Sequence, residues 1–475
     1  MRIYNSLSRQ VEEIEPLKKG KVGMYTCGMT VYDYAHIGHG RKYVYDDLLR
    51  RTLAYNGLDV IHVQNVTDVG HLVSDADEGE DKLEKGARKL KKTVWEVAKY
   101  FERDFFENMD LLGVLRPTIV ARATEHIEDQ IKLIDRLVDR GFAYDTPEAV
   151  YFDVGRFPRY EGLFGRGGLS EKQTAVRPEV ERGEHKKTPA DFALWFKRVG
   201  RFADHQMHWD CPWGDGFPGW HIECSAMSMK YLGETFDIHT GGLEHQMVHH
   251  PNEIAQSEAA SGHPFVKYWV HYSHLTLDGV KMAKSVGNVL RVQDIIEKGF
   301  SPLALRYLYL TAHYRTPLNF TWSSMAAAQT AYDKLLDFVR KSQAPSLKSQ
   351  RTELSKEKLR KLESYRSRFE GAINTDLGFP GALSVVWEMV KSNIPDYDKA
   401  DALLDWDAVL GLNLAGPLIS EEAPGEVKDM LQRREQLRRE GSYVEADNTR
   451  VEMEKMGWKI EDTKMGSRLK KIPNY

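Results

Sequence analysis

The spacing of apolar residues changes repeatedly along this chain, and each change marks an element. Val22–Tyr25 is a short apolar run of strand length. From His39 to Tyr55 the residues Tyr43, Leu48, Leu49 and Leu53 fall at helical spacing. Val60–Val66 reads as a second strand and Val94–Leu112 as a long helix. Strand and helix thus alternate over residues 20–113, which predicts a parallel sheet flanked by helices. The charged segment Ser74–Lys92 between them is expected to be exposed and mobile. A helix over Glu125–Arg140 and a Gly-, Pro- and charge-rich stretch from Gly155 to Pro189 interrupt the pattern and read as an inserted subdomain. The sheet is expected to resume near Gly219–Met229 and Phe236–His239, followed by a helix from Pro251. A turn leads into Leu303–Leu310. From Ser323 to about Leu412 the pattern is helical, broken by the polar stretch Ser342–Lys356. A Pro/Gly/acid linker, Gly416–Gly425, sets off a last unit with a charged helix pair and a strand-like tail.

Length and charge narrow the class. A chain of 475 residues predicts about two to four domains. The formal net charge of -4 argues against a wholly basic nucleic-acid coat, though not against local basic patches. No apolar stretch reaches the ~18 residues that span a membrane, and Met1–Asn5 begins no signal-peptide core. A cytoplasmic protein is the expectation. The three cysteines, Cys27, Cys211 and Cys224, make no disulfide framework and leave room for metal binding.

Two short strings carry chemistry. His36-Ile37-Gly38-His39 sits where a strand turns into a helix. Gly38 lets the backbone approach a ligand, and a helix N-terminus offers N–H groups and a positive dipole end to phosphate. Lys281-Met282-Ala283-Lys284-Ser285 sets two lysines three apart between Gly279 and Gly287. Two ammonium groups there suit a polyphosphate. Each string alone is a weak signal. Together, in this order, they resemble the two ATP signatures of class I aminoacyl-tRNA synthetases, with Ala283 where that family usually has Ser. Further strings narrow the resemblance: Met24–Asp33, Asp191–Trp195, Pro218–Met227, Phe236–His239 and His249–Ala255. In this combination nearly the whole chain resembles the cysteinyl-tRNA synthetases. Two departures stand out. Gly241-Gly242-Leu243-Glu244 replaces Gly-Gly-Ser-Asp, which keeps a carboxylate for the nucleotide ribose. Pro251 replaces a Glu, at a place where a helix's first turn tolerates a missing N–H.

The resemblance implies a α/β fold: a Rossmann-like doubly wound parallel sheet with an inserted subdomain, then a helical bundle and a small anticodon-binding domain. Its expected divisions are 1–113 and 206–269 for the two catalytic halves and 114–205 for the insertion. Residues 270–322 would form the stem-contact region with the lysine loop, 323–415 the bundle and 426–475 the anticodon-binding domain. It implies one Zn²⁺ per chain on Cys27, Cys224, His249 and Glu253. His249 and Glu253 are four apart, hence on one helix face. Two thiolates, an imidazole and a carboxylate make a reasonable zinc set. Read from spacing alone, the cysteines fit equally well as small core residues, and His239, His245 and His250 remain rival imidazoles. Cys211 is expected to be a bystander.

Zinc would answer a selectivity problem. Cysteine and serine differ by one atom, and shape separates near isosteres by only ~10²-fold. A thiol deprotonates readily on a metal; a hydroxyl does not. The implied reaction is attack of the cysteine carboxylate on ATP to give cysteinyl-adenylate, then transfer to the 3′ end of tRNA(Cys). The resemblance places His36, Gly38, His39, Glu244 and Lys284 on ATP, with His36, His39, Lys281 and Lys284 catalytic. Thr30, Trp220 and His239 would line the amino-acid pocket, and Mg²⁺ would accompany ATP. Arg438, Asp447 and Asp462 align with anticodon-reading positions, on a unit also carrying Arg433, Arg434, Arg439 and Tyr443. The protein is expected to act as a monomer. Two other readings compete: a ligase joining cysteine to a small amino-sugar acceptor, against which the C-terminal unit argues, and a catalytically dead binder of tRNA or zinc, against which the intact signatures argue.

Overall fold

The computed structural model describes residues 1–70, 72–74, 78–160, 185–282, 288–342, 353–415, 425–440, 442–463 and 466–471. Its centre is a five-stranded, all-parallel sheet. The strands are β1 (Lys21–Thr26), β2 (Asp59–Val66), β3 (Ile119–Arg122), β4 (Phe236–Gly242) and β5 (Val266–Tyr272). Their spatial order is β3-β2-β1-β4-β5. The chain therefore winds one way from β1 to β3, then returns to build β4 on the other side of β1. In open α/β sheets the crevice at such a reversal, at the carboxyl ends of the strands, is where ligands bind.

Both faces are covered, so the strands are buried on both sides. Val22 and Met24 face one apolar cluster, with the helices Ile37–Tyr55 (α1) and Val94–Leu111 (α2). Tyr25 and Cys27 face the other, with Ile127–Asp139 (α3), Trp220–Leu232 (α4) and His249–Ser261 (α5). The period-2 alternation of a strand thus puts Cys27 on the side of α4 and α5. Toward the carboxyl ends the sheet becomes polar: Thr26, Gln64, Asn65, His239 and Thr240 are all buried. His62 Nε2 lies 2.9 Å from Thr26 Oγ1, which lies 3.1 Å from Thr240 Oγ1. Thr240 donates to Asp46 Oδ1 on α1 at 2.6 Å. Burying such groups is unfavourable unless each is bonded; this chain of bonds engages both threonine hydroxyls, whereas Gln64 Nε2 and His62 Nδ1 have no partner among the described residues.

Three expectations need correction. Gly219–Met229 is not sheet but the start of α4, capped by the extended Gly219 and ended by Gly233 at φ +98°. It lies between the sheet and helices α3 and α5, so residues from His221 to Ser228 are buried all round and the helical stripe disappears from the sequence. Ser74–Lys92 is not simply an exposed segment: Lys82–Leu90 is a helix that buries Leu83 and Ala87. Between Glu125 and Arg140 the helix starts later than expected, after a 3₁₀ turn at Ala123–His126. Strand β3 also corrects a boundary: its residues fall within the expected 114–205 insertion, but they form the edge of the central sheet beside β2. The interruption that follows contains an antiparallel sheet of Ala143–Asp145, Ala149–Phe152, Phe192–Lys197 and Gly216–Pro218.

Helices Pro302–Leu310, Trp322–Ser342, Lys356–Asn374, Phe379–Val390 and Asp396–Leu410 follow. Arg306, fully buried, binds Asp47 of α1 at 2.6 Å and the carbonyl of Leu410 at 2.7 Å, tying this helical region to the sheet. The C-terminal unit pairs helices Gly425–Arg439 and Tyr443–Lys455 with the hairpin Trp458–Thr463/Gly466–Lys471. It has its own small core of Val427, Met453, Trp458 and Ile460.

Candidate active site and metal-ligand cluster

Helix α1 begins at the reversal of strand order, and its first turn is closed by two histidines. His36 is the N-cap, and its Nδ1 accepts from the N–H groups of Gly38 and His39 at 3.1 and 3.2 Å. His39 Nδ1 accepts in return from the N–H of His36 at 3.2 Å. The rings stack with centroids 3.6 Å apart. A backbone N–H can only donate, so both Nδ1 atoms are acceptors. In neutral imidazoles this leaves the proton on Nε2, and each ring presents an Nε2–H donor. Gly38 is needed for close approach: a Cβ there would lie 2.9 Å from the His36 ring and 3.0 Å from Met282 Cε. Met282 belongs to the lysine string, so the two signatures meet at this turn. The backbone of Lys281 pairs with Thr276 in a short hairpin. Its side chain and the whole of Lys284 lie outside the described residues.

The four expected metal ligands converge. One ligand atom each from Cys27, Cys224, His249 and Glu253 lies within 4.8 Å of the others, and all four residues are buried. Cys27 follows β1, Cys224 sits on α4, and His249 and Glu253 share the first turns of α5. Pro251 is the third residue of that helix, where no intrahelical bond is lost. His249 is fixed through both nitrogens: Nδ1 lies 2.8 Å from His221 Nδ1, and Nε2 lies 2.9 Å from Glu253 Oε1. Trp220 stacks on its ring at 4.2 Å. Glu253 Oε2 lies 2.9 Å from His239 Nε2.

The electrostatics suit a cation. Burial raises the Cys27 thiol, and it raises the Cys224 thiol well above the ordinary range. Burial, the largest single influence, would lower His249, but the Glu253 carboxylate and Cys224 together outweigh it and hold the ring up at about 10. Burial would raise Glu253, but His239 and His249 hold it down at about 2. Two thiol protons and an imidazolium proton are therefore what a bound cation would displace. A second set, Cys27, His239, His250 and Glu253, is equally compact and shares two members with the first. His250 is engaged on both sides, 3.4 Å from Cys27 Sγ and 2.7 Å from His271 Nε2, and burial pushes it well below its ordinary value. His245 packs beside His249 and His250 rather than within either set.

Thr30 is half-buried and bridges to Thr67 beyond the carboxyl end of β2. His239 is buried and stacks on Trp269 with centroids 4.7 Å apart. Glu244 is exposed on the turn after β4, 3.6 Å from His274 Nδ1. Cys211 lies apart, its thiol on the Gly214 carbonyl at 2.9 Å. Sequence reasoning missed several supporting groups: His221 and His271 behind the histidines, and Lys42, whose ammonium binds the Cys27 carbonyl at 2.5 Å and Asp46 at 3.0 Å. His221 lay next to Trp220 in a quoted string, but nothing in one sequence says that it faces His249. On the C-terminal unit Arg433, Arg438 and Asp447 are exposed. Arg434 is buried, so it is not part of a basic surface there. The side chains of Arg439 and Asp462 lie outside the described residues.

Comparison with known proteins agrees with this geometry. The family described as tRNA synthetases class I (C) catalytic domain matches residues 13–330. Cysteine–tRNA ligase 1 of Burkholderia lata is 45% identical over 472 residues, covering 99% of this chain and 96% of that protein. The cysteine–tRNA ligase of Thermus thermophilus is 41% identical over 484 residues, covering 98% of each. Among solved structures, the fold is similar to Mycobacterium tuberculosis methionyl-tRNA synthetase in complex with methionyl-adenylate (TM-score 0.55, 14% identity, 86% of this chain and 94% of that one). It is similar also to the ternary complex of Agrobacterium radiobacter LeuRS with tRNA and LeuAMS (TM-score 0.58, 13% identity, 84% of each). From the reversed-order parallel sheet, the paired signatures and these full-length likenesses, the chain belongs to the cysteinyl-tRNA synthetase family of class I aminoacyl-tRNA synthetases.

Proposed function

We infer that this chain is a cysteine–tRNA ligase, which activates L-cysteine with ATP to cysteinyl-adenylate and transfers the cysteinyl group to the 3′ end of tRNA(Cys). The observation that carries the reading is the burial of Cys27, Cys224, His249 and Glu253 in one cluster, tied through the Lys42 bond to the Cys27 carbonyl to the helix that starts at His36–His39. A soft, thiol-selective centre thus adjoins a phosphate-type helix terminus at a strand-order reversal. The relatives named cysteine–tRNA ligase, alike over nearly the whole chain, support it. The small amino-sugar acceptor has no such support.

The donor set fits Zn²⁺: two sulfurs, one nitrogen and one oxygen. Bound there, zinc would supply a soft site that holds a thiolate and discriminates against a hydroxyl. The chain's own groups do the rest. The Nε2–H donors of His36 and His39 face the triphosphate, and Lys281 and Lys284 offset charge on the departing pyrophosphate. Glu244 takes the ribose, and Thr30, Trp220 and His239 orient the amino acid. His221 and His239 fix His249 and Glu253 as outer partners usually fix ligands. Mg²⁺ accompanies ATP. The expected catalytic halves, 1–113 and 206–269, flank the insertion, the first half running on through β3 (Ile119–Arg122) at the sheet edge. Residues 270–322 bear on the acceptor stem, 323–415 form the bundle, and 426–475 read the anticodon through Arg438, Asp447 and Asp462. The enzyme works as a cytoplasmic monomer. No helix among the described residues is long and apolar enough to cross a membrane.

The deciding measurement is ATP–pyrophosphate exchange with cysteine or serine, followed by charging of purified tRNA. Exchange that depends on cysteine, with the product on tRNA, is the expected result. Exchange without tRNA charging, but with transfer to glucosamine, would replace this reading with the small-acceptor ligase.

A further inference from the structure

Arg41 lies two residues beyond the His36–His39 turn, on the first turns of α1. It is 1% exposed, and no carboxylate binds it among the described residues. Its two terminal nitrogens bind four backbone carbonyls instead. Nη1 donates to Ser273 and His274 at 2.9 and 2.8 Å, and Nη2 donates to His313 and Thr316 at 3.0 and 2.6 Å. Nε has no partner. Burying a cation without a counter-charge is unfavourable, and a well-packed apolar side chain often serves stability as well. The arrangement therefore calls for a reason beyond packing.

The two pairs of carbonyls supply one. Ser273 and His274 lead directly into the strand Leu275–Leu277, which turns back through Val280–Lys281 into the lysine loop. His313 and Thr316 lead into Leu318–Phe320, the parallel partner of Leu275–Leu277. Each terminal nitrogen thus holds one root of the small sheet that carries Lys281. Nearby contacts point the same way. The Ile37 N–H donates to the Leu290 carbonyl at 2.8 Å, just past the loop, and the Tyr309 hydroxyl donates to the Ile37 carbonyl at 2.7 Å.

We propose that Arg41 is a positioning residue for adenylate formation: through four carbonyls it fixes the roots of the lysine-loop sheet relative to the helix that carries His36 and His39. The proposal rests on the reading of the lysine loop as the ATP clamp. A fork of donors in one plane can span both roots; a lysine ammonium at the same place has three donors on one atom for four acceptors. Misplacing a catalytic group by about 1 Å can cost ~10²-fold in rate.

The test is a double-mutant cycle on the full-length zinc enzyme, using Arg41→Met, Arg41→Lys, Lys284→Ala and the Arg41→Met/Lys284→Ala pair. The readouts are turnover in cysteine-dependent pyrophosphate exchange, zinc content, and cysteine affinity without ATP by calorimetry. Arg41→Met should slow exchange by roughly 10²-fold while zinc content and cysteine affinity stay within about twofold. Arg41→Lys should recover part of the rate. The double variant should lose much less than the product of the two single losses, because Arg41 acts through the string that carries Lys281 and Lys284. Multiplicative losses in the double variant would overturn the proposal, as would parallel loss of zinc and cysteine binding, or wild-type exchange in Arg41→Met. Wild-type exchange in Lys284→Ala would instead overturn the clamp reading itself. If Arg41→Met is insoluble, Arg41→Lys carries the same cycle, and full activity in it counts against the proposal.

Discussion

The cluster at the sheet edge and the C-terminal helix pair solve recognition in opposite ways. Around Glu253 little is left to adjust: both carboxylate oxygens, both His249 nitrogens and both His250 nitrogens are engaged, and all three residues are buried. The C-terminal unit instead presents Arg433, Arg438 and Asp447 to solvent, with Tyr443 63% exposed. A preorganised, desolvated site suits one small ligand, because its dipoles need no rearrangement when that ligand arrives. An exposed charged face suits a large polyanion, whose binding is dominated by many screened phosphate contacts. Losses in the first region should be abrupt, and losses in the second graded and salt-dependent.

The largest expected effect is that of Cys224→Ser. It should lower zinc affinity by more than about 10²-fold, beyond what loss of an outer partner usually costs, and abolish cysteine-dependent exchange. Metal analysis finding full zinc with activity intact would remove Cys224 from the site. Deleting residues 426–475 should leave exchange and zinc unchanged but raise the KM for tRNA by roughly a hundredfold, more as salt rises. Unaltered charging by the truncated enzyme would deny this unit a tRNA role. His221→Ala should weaken zinc about 10- to 100-fold, since His221 only orients His249, and a chelator competition titration measures that. Tyr443→Ala should cost ~1–3 kcal/mol of tRNA binding if a base stacks on it. Arg438→Ala should do less, lowering the salt slope by about one.

Acidity sharpens the contrast further. In metal-stripped protein His249 is raised to about 10 from 6.5, so its stabilising contribution is complete below pH 6.5 and disappears as pH rises through about 10. Glu253 is lowered to about 2 from 4.5, so its contribution is complete above pH 4.5 and disappears as pH falls through about 2. This pair should stabilise the stripped protein most between pH 4.5 and 6.5. Zinc must displace the His249 proton, so its affinity should rise with pH over the range where the stripped protein loses stability. Melting curves with and without zinc from pH 5 to 9 would show the gap widening; a constant gap would mean that no proton leaves.

Much of this was legible along the chain. The runs at Val22–Tyr25 and Val60–Val66 and the helical spacing after His39 are strong local periodicities, and the structure places elements at each. The C-terminal helix pair begins at Gly425, where the expected 416–425 linker ends; the rest of that linker lies outside the described residues. Cys27, Cys224, His249 and Glu253 were legible only through a family resemblance, because three distant segments supply them. What failed was whatever depended on environment. Helix α4 is covered on all sides, so it carries no polar stripe to mark it. Strand β3 is four residues long, too short for a pattern to declare.

The sequence by itself determined which chemistries were available: two thiols, a histidine four residues from a glutamate, two histidines at a helix start, two lysines in a loop. Only the tertiary structure decided their states and their company. It set His221 against His249, buried Arg434, and gave Arg41 four carbonyls from 232 to 275 residues away. The reason is physical. Residue type and spacing act over a few residues, whereas burial, proton placement and charge pairing arise from atoms that only the folded chain brings within bonding distance.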